Sequence, residues 1–329
     1  MTSTIWPFGA GFIACAIIVP YLIQWQHGRH LGQQIYEDGP KSHAAKQGTP
    51  TLGGLAFIAA AALGLIFTSG ANDAKLFVLA AGAGAIGAAD DFIILFRRRA
   101  LGLKARWKFA LLALLAVGYL YWLQSGTAPL GYGEVWFGTI GLVLPSWIWW
   151  VLSLCAIVGA ANAVNLTDGV DGLATGTALA PLLLFGLAAL SSVTLAVLGA
   201  CVAFLWFNRH PAKIFMGDAG SLLLGALLAG AAIQSGLLLL LPLVGLVYVV
   251  EALSVMAQVV SFKLTGKRIF KMSPLHHHFE LSGWNERWIT AMFVTASVVM
   301  TLAVMVAIIA TKNFIGPDVL PPGGLRPSP

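Results

Sequence analysis

Five aspartates fall in three short blocks, and each block borders an apolar segment of the chain. Asp90 and Asp91 end the run LAAGAGAIGAADDF, Asp168 and Asp171 lie within NAVNLTDGVDG, and Asp218 lies within FMGDAGS. Two adjacent carboxylates repel each other unless a cation or a basic group compensates them. Mg²⁺ binds one or two carboxylates together with substrate phosphates. The three blocks therefore indicate a site where a divalent cation and phosphate groups meet.

The second block adds amide side chains to its carboxylates. Asn162, Asn165, Asp168 and Asp171 follow one another at intervals of three residues. On a helix they would lie along one slowly drifting face, and the two glycines of the block would end that helix. A Gly/Asx turn between two spans is the alternative, and it explains the Asp-Gly pairs but not four polar side chains in one register. This pattern favours binding of hydroxyl groups, a nucleobase or the water shell of a metal.

Asp218 precedes an apolar segment and is flanked by Gly217, Gly220 and Ser221. This arrangement predicts that Asp218 is the N-cap of a helix. The same geometry would offer backbone N–H groups to an anion and a carboxylate to Mg²⁺. Capping without ligand binding is the alternative interpretation.

Three consecutive histidines, His276, His277 and His278, follow a basic stretch. Neighbouring residues cannot all face one metal, so the spacing does not fit a zinc site. We expect a loop that presents one or two imidazoles to phosphates, with extra positive potential from Lys263, Lys267, Arg268 and Lys271. A basic surface loop without a binding role would explain the lysines and arginines but not the histidines.

The composition excludes a water-soluble enzyme. Of the 329 residues, 58% are hydrophobic and 10% are charged, whereas soluble domains carry about 25% charged residues. The three cysteines lie inside apolar runs and are interpreted as small core residues. Ten apolar segments are long enough to be candidate spans: 5–25, 51–70, 75–96, 109–124, 143–162, 174–190, 193–209, 220–235, 237–262 and 288–311.

The basic residues predict the orientation of these segments. With ten spans, sixteen of the nineteen Lys and Arg residues fall on one side, and positive residues remain cytoplasmic. Both termini are therefore predicted to lie outside, with all the polar blocks on the cytoplasmic face. Span 237–262 is about 39 Å long as a helix, so we expect its C-terminal part to bend or leave the membrane. We predict one domain over 1–316 and a disordered Pro/Gly-rich tail over 317–329.

Carboxylates, a basic rim and histidines on one membrane face indicate phosphoryl transfer between a cytosolic compound and one dissolved in the bilayer. A transporter is the alternative from another class of protein. It would show inverted repeats and ionisable residues in the middle of its spans, and the sequence shows neither.

Five long blocks of the sequence resemble the polyprenyl-phosphate N-acetylhexosamine-1-phosphate transferase superfamily. They are GPKSHAAKQGTPTLGG, DDF with GLKARWK, NAVNLTDGVDGLATG, FLWFNRHPAKIFMGDAGS and SPLHHHFELSGW, which together run from about residue 39 to 288. The histidine block is similar to the branch of the superfamily that acts on muramoyl-pentapeptides, and it separates that branch from the N-acetylglucosamine transferases.

The resemblance implies an all-α, ten-helix protein of the bacterial inner membrane with a cytoplasmic active site, Mg²⁺ as cofactor and a homodimeric state. The implied reaction moves phospho-MurNAc-pentapeptide from UDP-MurNAc-pentapeptide to undecaprenyl phosphate and gives lipid I and UMP. Membrane lipid is an implied partner and nucleic acid is not. An N-acetylglucosamine-1-phosphate transferase and a catalytically impaired lipid-binding relative are the alternatives.

The resemblance also implies roles for particular residues. It implies catalytic roles for Asp90, Asp91, Asp218, His276 and His277, with Asp218 as the metal ligand. Phe215 lies where the family stacks the uracil ring. The implied substrate-binding residues are Lys46, Arg106, Lys108, Asn162, Asn165, Asp168, Asp171, Asn208, Phe215 and His278.

One position departs from the family pattern. The aspartate pair usually continues as Asp-Asp-x-x-Lys, but Ile94 stands at the lysine position, and Leu101 replaces a second basic residue. Arg97 or Arg98 lies within one helical turn and is expected to supply the charge instead. The reaction itself has two possible routes: direct attack by the lipid phosphate, with Asp90 as base or orienting group, or a two-step route through an aspartate nucleophile.

Overall fold

The computed structural model describes residues 2–32, 46–68, 70–97, 102–125, 134–137 and 140–315. Arg98, Arg99, Leu101 and the tail 317–329 lie outside the described residues. The predictions made for them, including the disordered tail, therefore stay predictions.

Helices make up most of the described chain. They are α1 Thr2–Gly28, α2 Gly54–Gly64, α3 Ala71–Arg97, α4 Ala105–Gln124, α5 Ser146–Thr167, α6 Leu173–Ala188, α7 Ser192–Asn208, α8 Gly217–Gln234, α9 Leu241–Val244, α10 Leu246–Thr265, α11 Leu275–Glu280 and α12 Glu286–Ile315. Short 3₁₀ turns cover Leu65–Phe67 and Leu238–Leu240. The helical prediction is confirmed, with one exception. Strands β1 Glu134–Phe137 and β2 Ile140–Val143 form an antiparallel hairpin, for which the β-branched and aromatic residues of EVWF and IGLV are suited.

Within the described residues, seven helices are long and apolar enough to cross a membrane. Three shorter apolar helices, Gly54–Phe67, Leu173–Ala188 and Ser192–Asn208, coincide with three further predicted segments. The positions of the ten apolar segments are thus confirmed as helices. Ten crossings and the outside position of the termini stay predictions.

Helix α8 lies at the centre of the fold, and every residue from Ala219 to Gln234 is buried. Glycines bring its neighbours close: a Cβ at Gly87 of α3 would collide with the Asp218 carbonyl, and a Cβ at Gly54 of α2 would collide with the Gly220 nitrogen. Small residues allow helices to pack closely where no hydrophobic effect drives them together. This packing places the end of α3 directly against the start of α8.

The long segment predicted over 237–262 is divided in the structure. It consists of the 3₁₀ turn, α9 and α10, with a break at Gly245. Pro242 lies at the start of α9 and cannot donate a backbone hydrogen bond, so a helix cannot continue through it from the preceding residues. The break lies at the N-terminal side, and α10 continues without a break to Thr265. The expectation that the C-terminal part bends or leaves the membrane stays a prediction.

Candidate active site

Asp91 holds the start of α8. Its Oδ1 accepts a hydrogen bond from the Asp218 N–H at 3.0 Å, and its Oδ2 accepts one from the Ala219 N–H at 2.9 Å. Met216, and not Asp218, is the N-cap residue, and no side chain of the α8 segment caps the helix. The prediction that Asp218 is the N-cap is therefore wrong, because a carboxylate from α3 supplies the cap and leaves the Asp218 side chain available for other contacts.

Lys108, in the first turn of α4, joins the other two carboxylates. Its Nζ lies 2.8 Å from Asp90 Oδ2 and also contacts Asp218 Oδ2. The second oxygen of Asp90 accepts a hydrogen bond from the Leu103 N–H. A Cβ at Gly102 would collide with this carboxylate, so glycine is required there for the close approach. We call Lys108, Asp90 and Asp218 the lysine-108 cluster.

Asn165 attaches this cluster to the end of α5. Its Nδ2 donates to Asp218 Oδ1 at 2.7 Å and to Ser221 Oγ at 2.9 Å. Asp218 retains a side-chain exposure of 21%, whereas Asp90 retains 5%. Asp218 is thus the carboxylate of the cluster that a ligand can reach most readily.

A second cluster forms around Lys46 from four separate segments. The Lys46 Nζ lies 3.0 Å from Asp171 Oδ1 and 2.8 Å from Glu286 Oε2. The Nδ1 atom of His210 lies 3.0 Å from Asp171 Oδ2 and 3.4 Å from Glu286 Oε2. We call these four residues the lysine-46 cluster. Its two carboxylates and its imidazole lie close enough together to hold a metal ion, and the Lys46 ammonium compensates the two negative charges.

The segment that carries Lys46 is fixed by backbone hydrogen bonds to the α7–α8 connection. The Phe215 N–H donates to the Pro50 carbonyl at 2.9 Å, and the Gly53 N–H donates to the Phe215 carbonyl at 2.9 Å. From α1, the buried Gln26 accepts a hydrogen bond from the Thr51 N–H. These bonds join Phe215, which is partly exposed, to the segment that follows Lys46.

Asp168 lies in the turn between α5 and α6. Burial raises the pKa of its carboxyl well above the usual value, and the negative charges of Asp218, Asp91 and Asp171 raise it further, against the opposing effect of Lys46. Asp168 therefore keeps its proton to a higher pH than an ordinary aspartate and can donate a hydrogen bond when protonated.

The charge on Lys46 is stabilised by its neighbours. Burial by itself would lower the pKa of Lys46, but the hydrogen bond to Glu286 and the charges of Asp171 and Glu286 outweigh that effect. The pKa therefore lies above its usual value, and the ammonium stays protonated.

Three predicted binding residues occupy other surroundings. Asn162 donates back to the Val158 carbonyl at 2.8 Å, within α5. Asn208 is buried. Its Oδ1 accepts hydrogen bonds from the Gly172 N–H and the Thr175 hydroxyl, and its Nδ2 donates to the Ile214 carbonyl. It therefore joins the α5–α6 turn to the α7–α8 connection. Arg106 is exposed and lies over the Trp107 ring. The amides and aspartates of the second block also do not share one helical face, because α5 ends at Thr167.

The three histidines lie on the short helix α11, where the sequence predicted a loop. His276 is completely buried beside Glu251 of α10, with Nδ1 3.2 Å from Oε2. His277 Nδ1 lies 2.6 Å from Glu280 Oε2, and His278 Nδ1 accepts a hydrogen bond from the Lys271 N–H at 3.1 Å. Each ring has different surroundings, so the three do not form one metal site.

An apolar groove of about 370 Å³ runs along α5 toward the α5–α6 turn. Its lining includes Cys155 and Gly159 of α5, Pro181 of α6, and Tyr248 and Leu253 of α10. The lining also includes Ala163 and Val164, which lie about one helical turn before Asp168. The groove thus reaches the end of α5, where Asn165 contacts Asp218.

Three residues of the site were not assigned a role from the sequence. They are Glu251, His210 and Glu286. A buried acid in an apolar segment is by itself a sign of function, so Glu251 could have been found. His210 and Glu286 are 76 residues apart in the sequence, and no local pattern indicates that their side chains lie in contact.

Fold and site together define a multi-pass membrane protein whose carboxylates and lysines gather beside an apolar groove. The family model described as glycosyl transferase family 4 matches residues 74–236. A phospho-N-acetylmuramoyl-pentapeptide-transferase of Heliobacterium modesticaldum is 44% identical and covers 91% of this chain and 96% of its own length. A protein of the same name from Thermoanaerobacter is 43% identical over 87% of this chain, and one from Geobacillus thermodenitrificans is 43% identical over 86%. The chain belongs to the phospho-N-acetylmuramoyl-pentapeptide-transferase family, which confirms the resemblance seen in the motifs.

Proposed function

We propose that the protein transfers phospho-MurNAc-pentapeptide from UDP-MurNAc-pentapeptide to undecaprenyl phosphate, giving undecaprenyl-diphospho-MurNAc-pentapeptide (lipid I) and UMP. An oxygen of the lipid phosphate attacks the sugar-bound phosphorus, and the bond from that phosphorus to the bridging oxygen of UMP breaks. The observation that carries this proposal is the lysine-108 cluster, whose partner Asn165 lies in the turn of α5 that an apolar groove reaches. A water-soluble diphosphate and a membrane-dissolved phosphate could meet there.

The donor atoms of the lysine-108 cluster fit magnesium. Its ligating atoms are carboxylate oxygens, which Mg²⁺ prefers, and Asp218 is the accessible member, with Asp90 as its neighbour. Asp91 is not a ligand in this arrangement, because both of its oxygens accept N–H groups of α8. When bound, Mg²⁺ supplies positive charge for the diphosphate and the leaving UMP.

The side chains of the chain itself supply the remaining interactions. Lys108 provides a fixed cation for phosphate oxygens, and such preorganised charges stabilise a phosphoryl-transfer transition state. Lys46 provides a second cation on the side of Phe215 and Asp168, where the nucleotide would bind. Asp168, when protonated, donates a hydrogen bond to the nucleoside.

The hydrogen bonding of the aspartate pair favours the direct route. Both oxygens of Asp91 hold α8, and Asp90 is engaged by the Leu103 N–H and Lys108. A nucleophilic carboxylate would have to give up these partners. With a chirally labelled β-phosphorus we therefore expect inversion of configuration, since a single displacement inverts it, and retention would indicate an aspartyl intermediate.

The experiment is an assay of UMP release. Purified protein is given UDP-MurNAc-pentapeptide, undecaprenyl phosphate and Mg²⁺, and UDP-N-acetylglucosamine replaces the donor in a parallel reaction. We expect release only with the muramoyl donor and its loss on chelation of the metal. Release with the N-acetylglucosamine donor would instead support the related transferase, and no release with either donor would contradict the proposal.

We also propose ten crossings, outside termini, location in the bacterial plasma membrane and a homodimer. The sixteen basic residues on one side support the orientation. In a cysteine-free background, a cysteine at Ser125 should react with an impermeant thiol reagent added to cells, and one at Ser273 should not. The opposite labelling would reverse the orientation, and a monomer by light scattering would contradict the dimer.

A further inference from the structure

Glu251 and His276 form a completely buried pair of ionisable side chains, and both have zero exposure. The Glu251 oxygens accept the backbone N–H of His276 at 3.2 and 3.4 Å, and Oε2 lies 3.2 Å from the ring Nδ1. A buried carboxylate is costly unless a hydrogen-bonding partner compensates it. Glu251 thus fixes the main chain of this histidine and lies directly beside its ring.

The opposite edge of the ring faces the α5–α6 turn. A Cβ at Gly169 would collide with His276 Nε2 and would lie 3.2 Å from His277 Nε2. The two imidazole Nε2 atoms therefore pack directly against Gly169, next to Asp168. The φ angle of Gly169 is not in the left-handed region, so glycine is required here for close approach and not for backbone conformation.

These contacts give the histidine a defined direction. With the Glu251 carboxylate beside Nδ1, Nε2 is the ring nitrogen left for contact with the α5–α6 turn. Nε2 then faces the turn that carries the nucleotide-side residues. His277 has the same arrangement with a different acid, because its Nδ1 faces Glu280 of its own helix.

We propose that Glu251 is a positioning residue for the transfer reaction: it holds the His276 ring so that Nε2 packs against Gly169 and sets the position of the α5–α6 turn beside Asp168. This inference rests on the proposed function, because it assumes that this turn binds the substrate during phosphoryl transfer. Glu251 itself acts only through the histidine. Its removal should therefore have no effect of its own once the histidine has been removed.

The test is a double-mutant cycle on UMP release, with Glu251→Gln, His276→Gln and the double variant. Glu251→Gln should lower kcat about 10- to 100-fold, the usual range for a residue that orients a functional histidine, with the KM for the UDP donor nearly unchanged. The double variant should be no slower than His276→Gln alone. The proposal would be overturned if the losses in kcat of the two single variants multiplied in the double variant. It would also be overturned if either Glu251→Gln or His276→Gln were fully active.

A second variant reaches the same ring from the other side and covers the case in which Glu251→Gln does not fold. Gly169→Ala leaves Glu251 in place but fills the space beside Nε2. It should lower kcat by a similar factor and should add nothing in the His276→Gln background. A normal rate in Gly169→Ala, or an effect that persists without the histidine, would contradict the proposal.

The matched control is Ser254→Ala, which lies one turn further along α10. Its hydroxyl donates to the Glu251 carbonyl within the helix and does not face His276. It should keep the wild-type kcat. If Ser254→Ala lowered kcat as much as Glu251→Gln does, both losses would be due to disturbance of α10, and the positioning role would be overturned. Inactive wild-type protein would contradict the proposed function, whereas active wild type with unaffected variants would contradict only this inference.

Discussion

The lysine-108 and lysine-46 clusters both place one ammonium between two carboxylates, but they are built differently. The first is formed by the ends of α3, α4 and α8, which pack closely through glycines. The second joins the segment before α2, the α5–α6 turn, the α7–α8 connection and the start of α12. Helix packing fixes the first, whereas contacts between connecting segments hold the second.

This difference matches the chemistry that we propose for each cluster. A cation that stabilises a transition state must already be in place when the reaction occurs. A cation that binds the nucleotide contributes equally to the ground state and the transition state, so its loss weakens substrate binding more than it slows the chemical step. Substitutions in the first cluster should therefore mainly affect kcat, and those in the second should mainly affect the KM for the UDP donor.

The largest effect is expected for Lys108→Gln. It removes the fixed charge at the proposed reaction centre and leaves Asp90 and Asp218 facing each other. Loss of one preorganised group of this kind costs about 10²- to 10³-fold in kcat. UMP release by purified protein measures it, with the melting temperature as the control for folding. Lys108→Arg should recover only part of the rate, since the two cations differ in shape. A rate within about fivefold of wild type, far short of that loss, would remove Lys108 from the mechanism.

A smaller effect is expected for Glu286→Gln in the lysine-46 cluster. The amide keeps the size of the side chain but removes one of the two charges that hold Lys46. We expect the KM for the UDP donor to rise about tenfold, or about 1.4 kcal/mol, while kcat changes little. Steady-state kinetics over a range of donor concentrations separate the two constants. A loss in kcat alone would place this cluster in the chemical step and remove the distinction between the clusters.

The two clusters also differ in how far the sequence predicted them. The sequence predicted three members of the site, Asp90, Asp91 and Asp218. Carboxylates beside apolar segments are unusual, and these three lie within motifs of the family. The cap supplied by Asp91 was not predicted, since the sequence does not show which helix end packs against the start of α8. His210 and Glu286 were missed for the same reason: their meeting depends on tertiary packing between segments that have no common periodicity. Ten apolar helices were predictable because hydrophobicity within one segment is a local property.

Asp168 lies between the clusters and gives a pH-dependent prediction. Its folded-state pKa is raised, so the folded state retains a proton that the unfolded state loses above about pH 4. Stability should therefore fall as the pH rises from that value through the raised pKa. Asp168→Asn removes this dependence. Its free energy of unfolding relative to wild type should rise with pH, by less than the ~1.4 kcal/mol per pH unit that one bound proton can contribute, and the melting temperatures of the two proteins follow this change.

The control for this measurement is Asp73→Asn. Asp73 lies at the other end of α3, where it accepts hydrogen bonds from the Ser191 hydroxyl and the Ser192 N–H. Its substitution should change the melting temperature because these bonds are lost. The difference in melting temperature from wild type should not rise with pH. A pH-independent difference for Asp168→Asn would show that this carboxyl is not protonated in the folded protein.

The smallest effect is expected for Ile94→Lys, which restores the family residue. Ile94 lies four residues after Asp90 on α3, so the two side chains project from the same face of the helix. In the wild-type background Lys108 already contacts Asp90 and Asp218, so a second ammonium adds charge where the carboxylates are already compensated. We expect kcat within about twofold of wild type, because transition-state stabilisation needs the charge only once.

The same substitution becomes informative in the Lys108→Gln background. If the rate depends on a cation beside Asp90 and not on the helix that carries it, adding Ile94→Lys to Lys108→Gln will recover part of the lost kcat. Recovery will be incomplete, because the introduced ammonium approaches from α3 and cannot reach Asp218 as the α4 lysine does. Ile94→Met is the matched control, with a similar unbranched stem and no charge, and it should recover nothing. Equal recovery by both variants would mean that packing, and not charge, limits the Lys108→Gln protein, and no recovery by either would tie the function of this cluster to the position of α4.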